Sequence, residues 1–156
     1  TREHIELLGE KTPLHTLYGS VLLDKYPESK SLLLVRNPLN NIFSLMKRAH
    51  DFKEAVNRYA LYANSLLELN NHARSKTLLY NELIQAPEVA LQAFYELMDI
   101  NKPIEKPAQL FNYIKQGYTG TSIDPARAQN NPDFSVKERK IIYKRFARVF
   151  DTFGFS

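Results

Sequence analysis

Two short apolar runs, each bounded by turn-forming residues, predict buried β-strands. The first covers residues 32–35 after the turn sequence YPESK, and the second is KTLLY at residues 76–80. Runs of this length are too short for a helix, and a continuous apolar run is typical of a strand that is covered on both faces. We therefore expect two buried strands, with a further short extended segment around residues 5–8.

Amphipathic periodicity predicts five helices before, between and after these strands. Asn37 followed by Pro38 is typical of an N-cap and a first helical residue, and Ser135 stands three residues before Glu138, which is the spacing of a capping box. Gly154 is a suitable C-terminal stop. The predicted helices cover residues 13–26, a segment from 38 with Ile42, Leu45 and Met46 on its buried side, 52–71, 87–98 and 135–153.

The alternation of strands and helices predicts an α/β fold, in which helices flank a parallel sheet and the C-terminal part is helix-rich. The length suits a single domain, residues 1–156. The opening sequence TREHIELLGEKTP reads as the middle of a domain, so we expect it to lack an N-terminal portion. Residues 101–132 contain four prolines and two glycines and predict a loop that could close over a ligand.

The amino-acid composition limits the kinds of ligand and metal site that the chain can form. The chain has no cysteine and only four scattered histidines, which excludes a thiolate metal site, argues against zinc and leads us to predict no metal. A reducing, cytoplasmic setting is the default expectation. The apolar runs are far shorter than the roughly 20 residues that span a bilayer, so we expect no membrane span. The formal net charge of +4 favours anionic ligands weakly.

Arg36 stands at the carboxyl end of the first predicted strand and directly before a helix, whose N-terminal amides and dipole favour an anion. Ser44 falls in the second or third turn of that helix, where a hydroxyl can reach the same anion if its face points back toward the strand end. An alternative is that Arg36 makes a surface ion pair and Ser44 packs on a neighbour. The surrounding motifs are needed to choose between the two interpretations.

Four motifs, taken in order, resemble the sulfotransferases that use 3'-phosphoadenosine 5'-phosphosulfate (PAPS). They are GEKTP, then YPESKSLLLVRNPLNNIFS, then LLYNELIQAPEVALQAFYELMDI, and a closing amphipathic helix that ends in FGFS. In that family a Lys-Thr/Ser motif precedes a strand that ends in V-R-[ND]-P, with a serine eight residues after the arginine. A later Y-E-D-L segment is followed by a helix-opening proline. Arg36 and Ser44 have the family's spacing, and Tyr80 and Pro87 match the later positions.

The resemblance implies a nucleotide-kinase-like, P-loop-like sulfotransferase fold and transfer of a sulfuryl group from PAPS, the co-substrate, to a hydroxyl or amine acceptor. By resemblance, Arg36 and Ser44 hold the 3'-phosphate, Tyr80 packs on the adenine, and Lys11 contacts the sulfuryl group or the bridging oxygen with Thr12 beside it. Cationic and amide donors suit this reaction because negative charge develops on the transferring oxygens. The alternative for Lys11 is an exposed, solvated charge that contacts no ligand. The alternative for Tyr80 is a ring that packs in the core with its hydroxyl at the edge of the core.

The chain also departs from the family pattern. Nothing before Gly9 resembles the family's loop that holds the 5'-phosphosulfate, and no G-x-x-x-x-G-K-[ST] sequence occurs. The general base is unassigned, because Pro13 stands where the cytosolic branch of the family has histidine. The nearby His15 could substitute for it, but the alternative is that His15 is simply an exposed surface residue. Asn81 stands where the family usually has glutamate, so that either Glu82 replaces it or the acidic role is lost. We therefore expect the 3'-phosphate half of a donor site only.

Two other function classes stay open. One is a non-enzymatic binding module whose basic last helix binds nucleic acid or an acidic partner, and the other is a phosphoryl-transfer enzyme, which no Walker lysine supports. For the preferred interpretation we expect no nucleic-acid partner, and the acceptor can be a small molecule, a glycan or a peptide. Lys115 and Arg127 are further candidates for a phosphate contact, with solvated charge as the favoured alternative.

Overall fold

The computed structural model describes residues 9–100 and 132–155, where helices predominate over a small sheet. The extended segment expected around residues 5–8 and the loop that carries Lys115 and Arg127 lie outside the described residues. The elements follow in this order: a 3₁₀ helix Pro13–Tyr18, α1 Gly19–Lys25, β1 Ser31–Val35, α2 Pro38–Ala49, α3 Phe52–Asn70, β2 Ser75–Leu79, α4 Tyr80–Gln85, α5 Pro87–Leu97, α6 Val136–Arg145 and α7 Ala147–Phe153.

The two strands pair in parallel, in a register that matches Ser31 with Ser75 and Val35 with Leu79. This confirms the prediction that the two apolar runs are parallel neighbours in one sheet, and with it the α/β class. Tyr80 does not end the second strand as predicted but begins α4. The carboxyl ends of both strands therefore lie at the same edge, followed at once by Arg36 and Tyr80.

The two faces of the sheet are covered unequally. Leu33 and Val35 are buried on the face that packs on α2 and α3. Side chains alternate along a strand, so Leu32 and Leu34 point to the opposite face, where they remain 37% and 49% exposed. On that face α5 packs on β2, with Leu78 buried. The expectation that the first strand is buried on both faces is therefore wrong, because α5 covers the β2 half alone.

The main core lies between α2, α3 and the two C-terminal helices. Ile42, Ala55, Tyr59 and Ile142 are almost completely buried there. The Tyr59 ring meets the Phe146 ring edge to face, with the ring centres 4.8 Å apart. The apolar periodicity of α2, α3 and the last helical segment thus identified the core-facing residues.

The first and last predicted helices are each divided. Pro13 begins a helix as expected, but its first six residues are 3₁₀, a form that is common at helix N-termini. Gly19 then lies close to α3: a Cβ atom there would be 2.5 Å from Leu69 Cδ1, so a larger residue would require the Leu69 side chain to move. The last helix breaks at Phe146, where no proline or glycine marks the break. Its capping box at Ser135 and its left-handed stop at Gly154 are confirmed.

The side chain of Arg74 fixes the turn that leads into β1. Its guanidinium Nη1 donates to the carbonyl oxygens of Tyr26 and Ser29, at 2.9 and 3.0 Å, and to that of Pro27. Its Nη2 donates to the carbonyl of Leu23 at the end of α1. One planar fork thereby donates to several carbonyls of the α1–β1 connection, one of which, that of Tyr26, also accepts from the amide and the hydroxyl of Ser29.

Candidate functional site

The sheet register brings Arg36 and Tyr80 together at the carboxyl edge. Arg36 follows Val35 and Tyr80 follows Leu79, which is the paired position on the neighbouring strand. The guanidinium carbon of Arg36 lies over the Tyr80 ring, 4.8 Å from its centre, and both residues are half-buried. This separation is within the range of a cation–π contact.

The contact with Tyr80 places the Arg36 guanidinium beside the ring at the strand ends. A guanidinium carries its five N–H donors in one plane. In-plane donors match the oxygens of a phosphate or sulfate pairwise. The Tyr80 ring therefore holds the Arg36 fork at the edge of the sheet, where ligands of open parallel sheets bind.

Helix α2 begins at the same edge. The Asn37 side chain accepts from the Leu39 amide at 2.9 Å, and its carbonyl accepts from the Asn41 amide at 3.0 Å. Pro38 has no amide hydrogen, so Asn40 is the first-turn residue whose amide could serve an anion. The helix therefore contributes chiefly its dipole, and fewer free amides than the sequence suggested.

Ser44 lies in α2 seven residues after Asn37 and is half-buried. Seven residues of α-helix advance about 10 Å and return to within about 20° of the same face. Helical side chains lean toward the N-terminus, so the Ser44 hydroxyl is directed toward the end that carries Asn37. Helix geometry is thus compatible with the predicted pairing of Ser44 and Arg36, which stays a prediction.

Lys11 and Thr12 directly precede the 3₁₀ helix, where Glu10 makes two side-chain contacts. The Thr12 hydroxyl donates to Glu10 Oε1 at 2.5 Å, and His15 Nδ1 lies 2.6 Å from Glu10 Oε2. Lys11 is exposed, and the 3₁₀ helix that follows packs on α1 and α3. Glu10 thus engages Thr12 and also His15, the histidine considered as a substitute base.

Glu82 has a structural role that the sequence did not reveal. Its Oε2 accepts from the Leu79 amide at 2.9 Å and so caps α4, a helix that was not predicted. The Glu82 carboxylate, which we considered as a replacement for the glutamate that the resemblance implies at the position of Asn81, is therefore engaged at the start of its own helix. The signal was present, since an acidic residue in the first turn is typical of a helix N-terminus.

Two searches for other site types concern the described residues alone. Residues 9–100 and 132–155 contain no group of three or more His, Asp or Glu side chains arranged to hold a metal ion. Among the helices of the described part, none combines the length and apolarity that crossing a bilayer requires.

Comparison with known proteins gives no relative: no protein-family model matches the chain, and searches of curated proteins and of solved structures found no match. The described contact that joins two predicted site residues is the stack of Arg36 on Tyr80. This pair at the sheet edge is therefore the basis for the functional argument.

Proposed function

We propose that the chain is a sulfotransferase-type domain of P-loop-like fold that uses PAPS and binds the 3'-phosphate of this donor at the carboxyl edge of β1 and β2. The observation that carries the proposal is Arg36, which leaves β1 at the start of α2 and is stacked on Tyr80 from the adjacent strand. A fixed guanidinium beside a helix N-terminus favours a dianionic phosphate over a neutral group.

The placement of the motifs supports the resemblance. The V-R-N-P sequence falls where β1 ends and α2 begins, and the LLYNEL sequence falls where β2 ends. Pro87 opens α5, as the helix-opening proline of the family does. Three weak sequence signals therefore coincide with strand ends and helix starts, which are the positions at which α/β proteins build ligand sites.

The proposal assigns different roles to the candidates. Arg36 and Ser44 contact the 3'-phosphate, and Tyr80 first supports Arg36, so the adenine ring would use the opposite face of the tyrosine. Lys11, once its segment reaches the donor, stabilises charge on the sulfuryl or bridging oxygen. The acceptor is a hydroxyl or amine of a small molecule, glycan or peptide, and no residue is assigned as its base.

Binding measurements on the 156-residue chain test this function. We expect adenosine 3',5'-bisphosphate to bind weakly, with a dissociation constant around millimolar. Two or three charge-assisted hydrogen bonds contribute roughly 1.5–3 kcal/mol each, and the entropy of immobilising the ligand offsets much of that. Adenosine 5'-monophosphate lacks the 3'-phosphate and should bind more weakly still.

The variants Arg36→Ala and Arg36→Lys should abolish and weaken binding, respectively, because lysine cannot form the planar fork. Arg48→Ala is the matched control, since this exposed arginine lies at the other end of α2. Calorimetric titration that finds the bisphosphate bound equally by wild type and Arg36→Ala would refute the proposed site. Preference for ATP over the bisphosphate would instead favour the phosphoryl-transfer class.

A further inference from the structure

The outward side of α6 carries three exposed lysines. Ile142 is completely buried and so marks the side of the helix that faces the core. Lys137, Lys140 and Lys144 fall within about 40° of the opposite direction on the helical wheel, and all three are exposed. Because they are three and four residues apart, they follow one side of the helix one turn after another. Together they form a lysine row about 10 Å long.

The carboxylates of the described part of the chain do not neutralise the lysine row. None of the ion pairs found in residues 9–100 and 132–155 involves a cation of α6 or α7. Glu138, the acidic residue of α6, is engaged with Ser135 in the capping box, and the neighbouring α2 contains no Asp or Glu. Residues 135–155 contain six Lys and Arg against two Asp and Glu, a net +4 that equals the formal charge of all 156 residues.

The arginines of this segment differ in how far they can join the lysine row. Arg139 donates to the carbonyl oxygens of Pro132 and Phe134, and Arg145 donates to Asn57 of α3. Both guanidinium groups are therefore directed toward the protein. Arg148 is exposed four residues after Lys144, on α7, and extends the row to four cations.

Exposed apolar side chains flank the lysine row. Val136 and Tyr143 lie on one flank and are 86% and 39% exposed, and Ile141 lies on the other flank and is 40% exposed. Val136 has the highest exposure among the large apolar side chains of the described residues. The core-facing side of this segment is formed by other residues, such as Ile142 and Phe146. The apolar atoms beside the lysines therefore belong to the outer surface and are not part of the core.

We propose that the outer side of α6 binds the surface of an anionic lipid bilayer. The lysine row and Arg148 would lie against anionic headgroups, while Val136, Ile141 and Tyr143 would enter the headgroup layer. The apolar side of α6 stays packed in the core, so the helix would lie on the bilayer without inserting deeply. This proposal is independent of the donor site.

The mixture of lysines and exposed apolar side chains is what favours a bilayer over a nucleic acid. A nucleic acid takes its affinity largely from phosphate contacts and offers no apolar phase to Val136 and Ile141. A bilayer surface attracts cations and also accepts apolar side chains at the level of the headgroups. Lysine suits such a surface because its ammonium group is a compact point charge, whereas phosphates bound pairwise favour the planar fork of arginine.

Sedimentation of the full chain with lipid vesicles tests the proposal. We expect binding to phosphatidylcholine vesicles that contain about 30% phosphatidylserine, and no binding to vesicles of phosphatidylcholine alone. One unit of positive charge near an anionic bilayer contributes about fivefold in affinity, so Lys140→Glu, which removes two units, should bind at least about tenfold more weakly. The matched control is Lys25→Glu, which changes the net charge equally at an exposed position of α1 and should bind as wild type does.

The double variant Val136→Ser, Ile141→Ser separates a bilayer surface from a merely basic one. Both side chains are exposed, so their loss changes neither the charge nor the core, and the circular dichroism spectrum should be unchanged. We expect a loss of vesicle affinity of about threefold or more. The control Leu14→Ser, Val21→Ser removes two exposed apolar side chains outside α6 and should bind as wild type does.

Three results would overturn the proposal. One is the absence of binding to the phosphatidylserine vesicles. Another is vesicle binding that is indifferent to Lys140→Glu or to the serine variant of Val136 and Ile141. The third is tighter binding of an oligothymidylate of about 20 nucleotides than of the vesicles, because a surface that acts through its cations alone would favour the nucleic acid.

Discussion

The guanidinium of Arg36 rests on the ring of Tyr80, the residue that follows the strand partner of Val35. Residues distant in sequence become neighbours here because the parallel register aligns the last residues of both strands. The ring contact thus constrains the arginine before any ligand arrives. Preorganisation of this kind lowers the entropic cost of binding an anion.

Tyr80→Leu should therefore weaken binding of adenosine 3',5'-bisphosphate without changing the charge of the site. We expect about a two- to fivefold loss, corresponding to about 0.5–1 kcal/mol for a partly exposed cation–π pair. Tyr80→Phe keeps the ring and should bind as wild type does. Titration with the bisphosphate, followed by amide chemical shifts, measures the affinity of each variant. Equal affinities for the leucine and phenylalanine variants would show that the Tyr80 ring does not position Arg36.

Sulfuryl transfer by the 156-residue chain should be undetectable. The chain has no glycine-rich loop to hold the 5'-phosphosulfate, and catalysis requires donors on both sides of the sulfur. A radiolabelled-donor assay with mixed hydroxyl and amine acceptors tests this. The weak binding of the bisphosphate should also fall as salt rises from about 50 to 200 mM, because a partly exposed ionic contact is screened. Robust turnover would show that the donor site has been placed wrongly.

Arg74→Lys should lower the free energy of unfolding by about 2–3 kcal/mol. A lysine ammonium cannot reach the carbonyls of Leu23, Pro27 and Ser29 together, and carbonyls that lose their donor lose much of their stabilisation. Urea denaturation measures the change, with the denaturant slope expected to be the same as in wild type. Arg48→Lys is the control, and a loss below about 0.5 kcal/mol, the range of ordinary surface changes, would contradict the role of the fork.

Tyr59→Phe should stabilise the protein by about 1 kcal/mol. The Tyr59 hydroxyl is buried and has no hydrogen-bond partner among the described residues, and an unsatisfied buried group costs about 1–3 kcal/mol. Burial also raises the pKa of Tyr59 well above its usual value. In the unfolded chain the group loses its proton near pH 10, whereas in the folded protein it keeps it.

The folded state of wild type therefore binds more protons above about pH 10, and its stability should decline there by at most about 1.4 kcal/mol per pH unit. This decline should be smaller in Tyr59→Phe. Tyr18 is 60% exposed, so Tyr18→Phe should keep the wild-type decline. Denaturation midpoints at pH 8 and pH 10.5 make the comparison, and parallel declines in wild type and Tyr59→Phe would refute the assignment.

Much of the helical framework could be predicted because its signals are local. Asn37 with Pro38 marked the start of α2, Ser135 with Glu138 marked the start of α6, and the apolar period identified the buried face of α3. Each of these signals acts within one or two turns of the chain. The strand positions were predictable for the same reason, since short apolar runs between turn residues have few alternatives.

The contacts at the carboxyl edge of the sheet could not be predicted from local sequence signals. The sequence placed Arg36 after a strand and before a helix, and it placed Tyr80 near the end of another, but nothing local pairs Val35 with Leu79. The Arg74 fork is likewise set by contacts with backbone groups whose positions depend on the folded chain. The contacts that Glu10 makes with Thr12 and His15, the neighbours of the Lys11 that the resemblance assigned to the donor, were not predicted either.

The sequence by itself thus determined which segments become helix and strand, which faces are apolar and which residue types stand at strand ends, because these depend on propensity and periodicity. Only the tertiary structure decided that Arg36 lies beside Tyr80, that Leu32 and Leu34 remain exposed beside α5, and that Arg145 of α6 donates to Asn57 of α3. These features arise from the register and packing of elements far apart in the chain. Their energies depend on distance in space, which local sequence patterns do not encode.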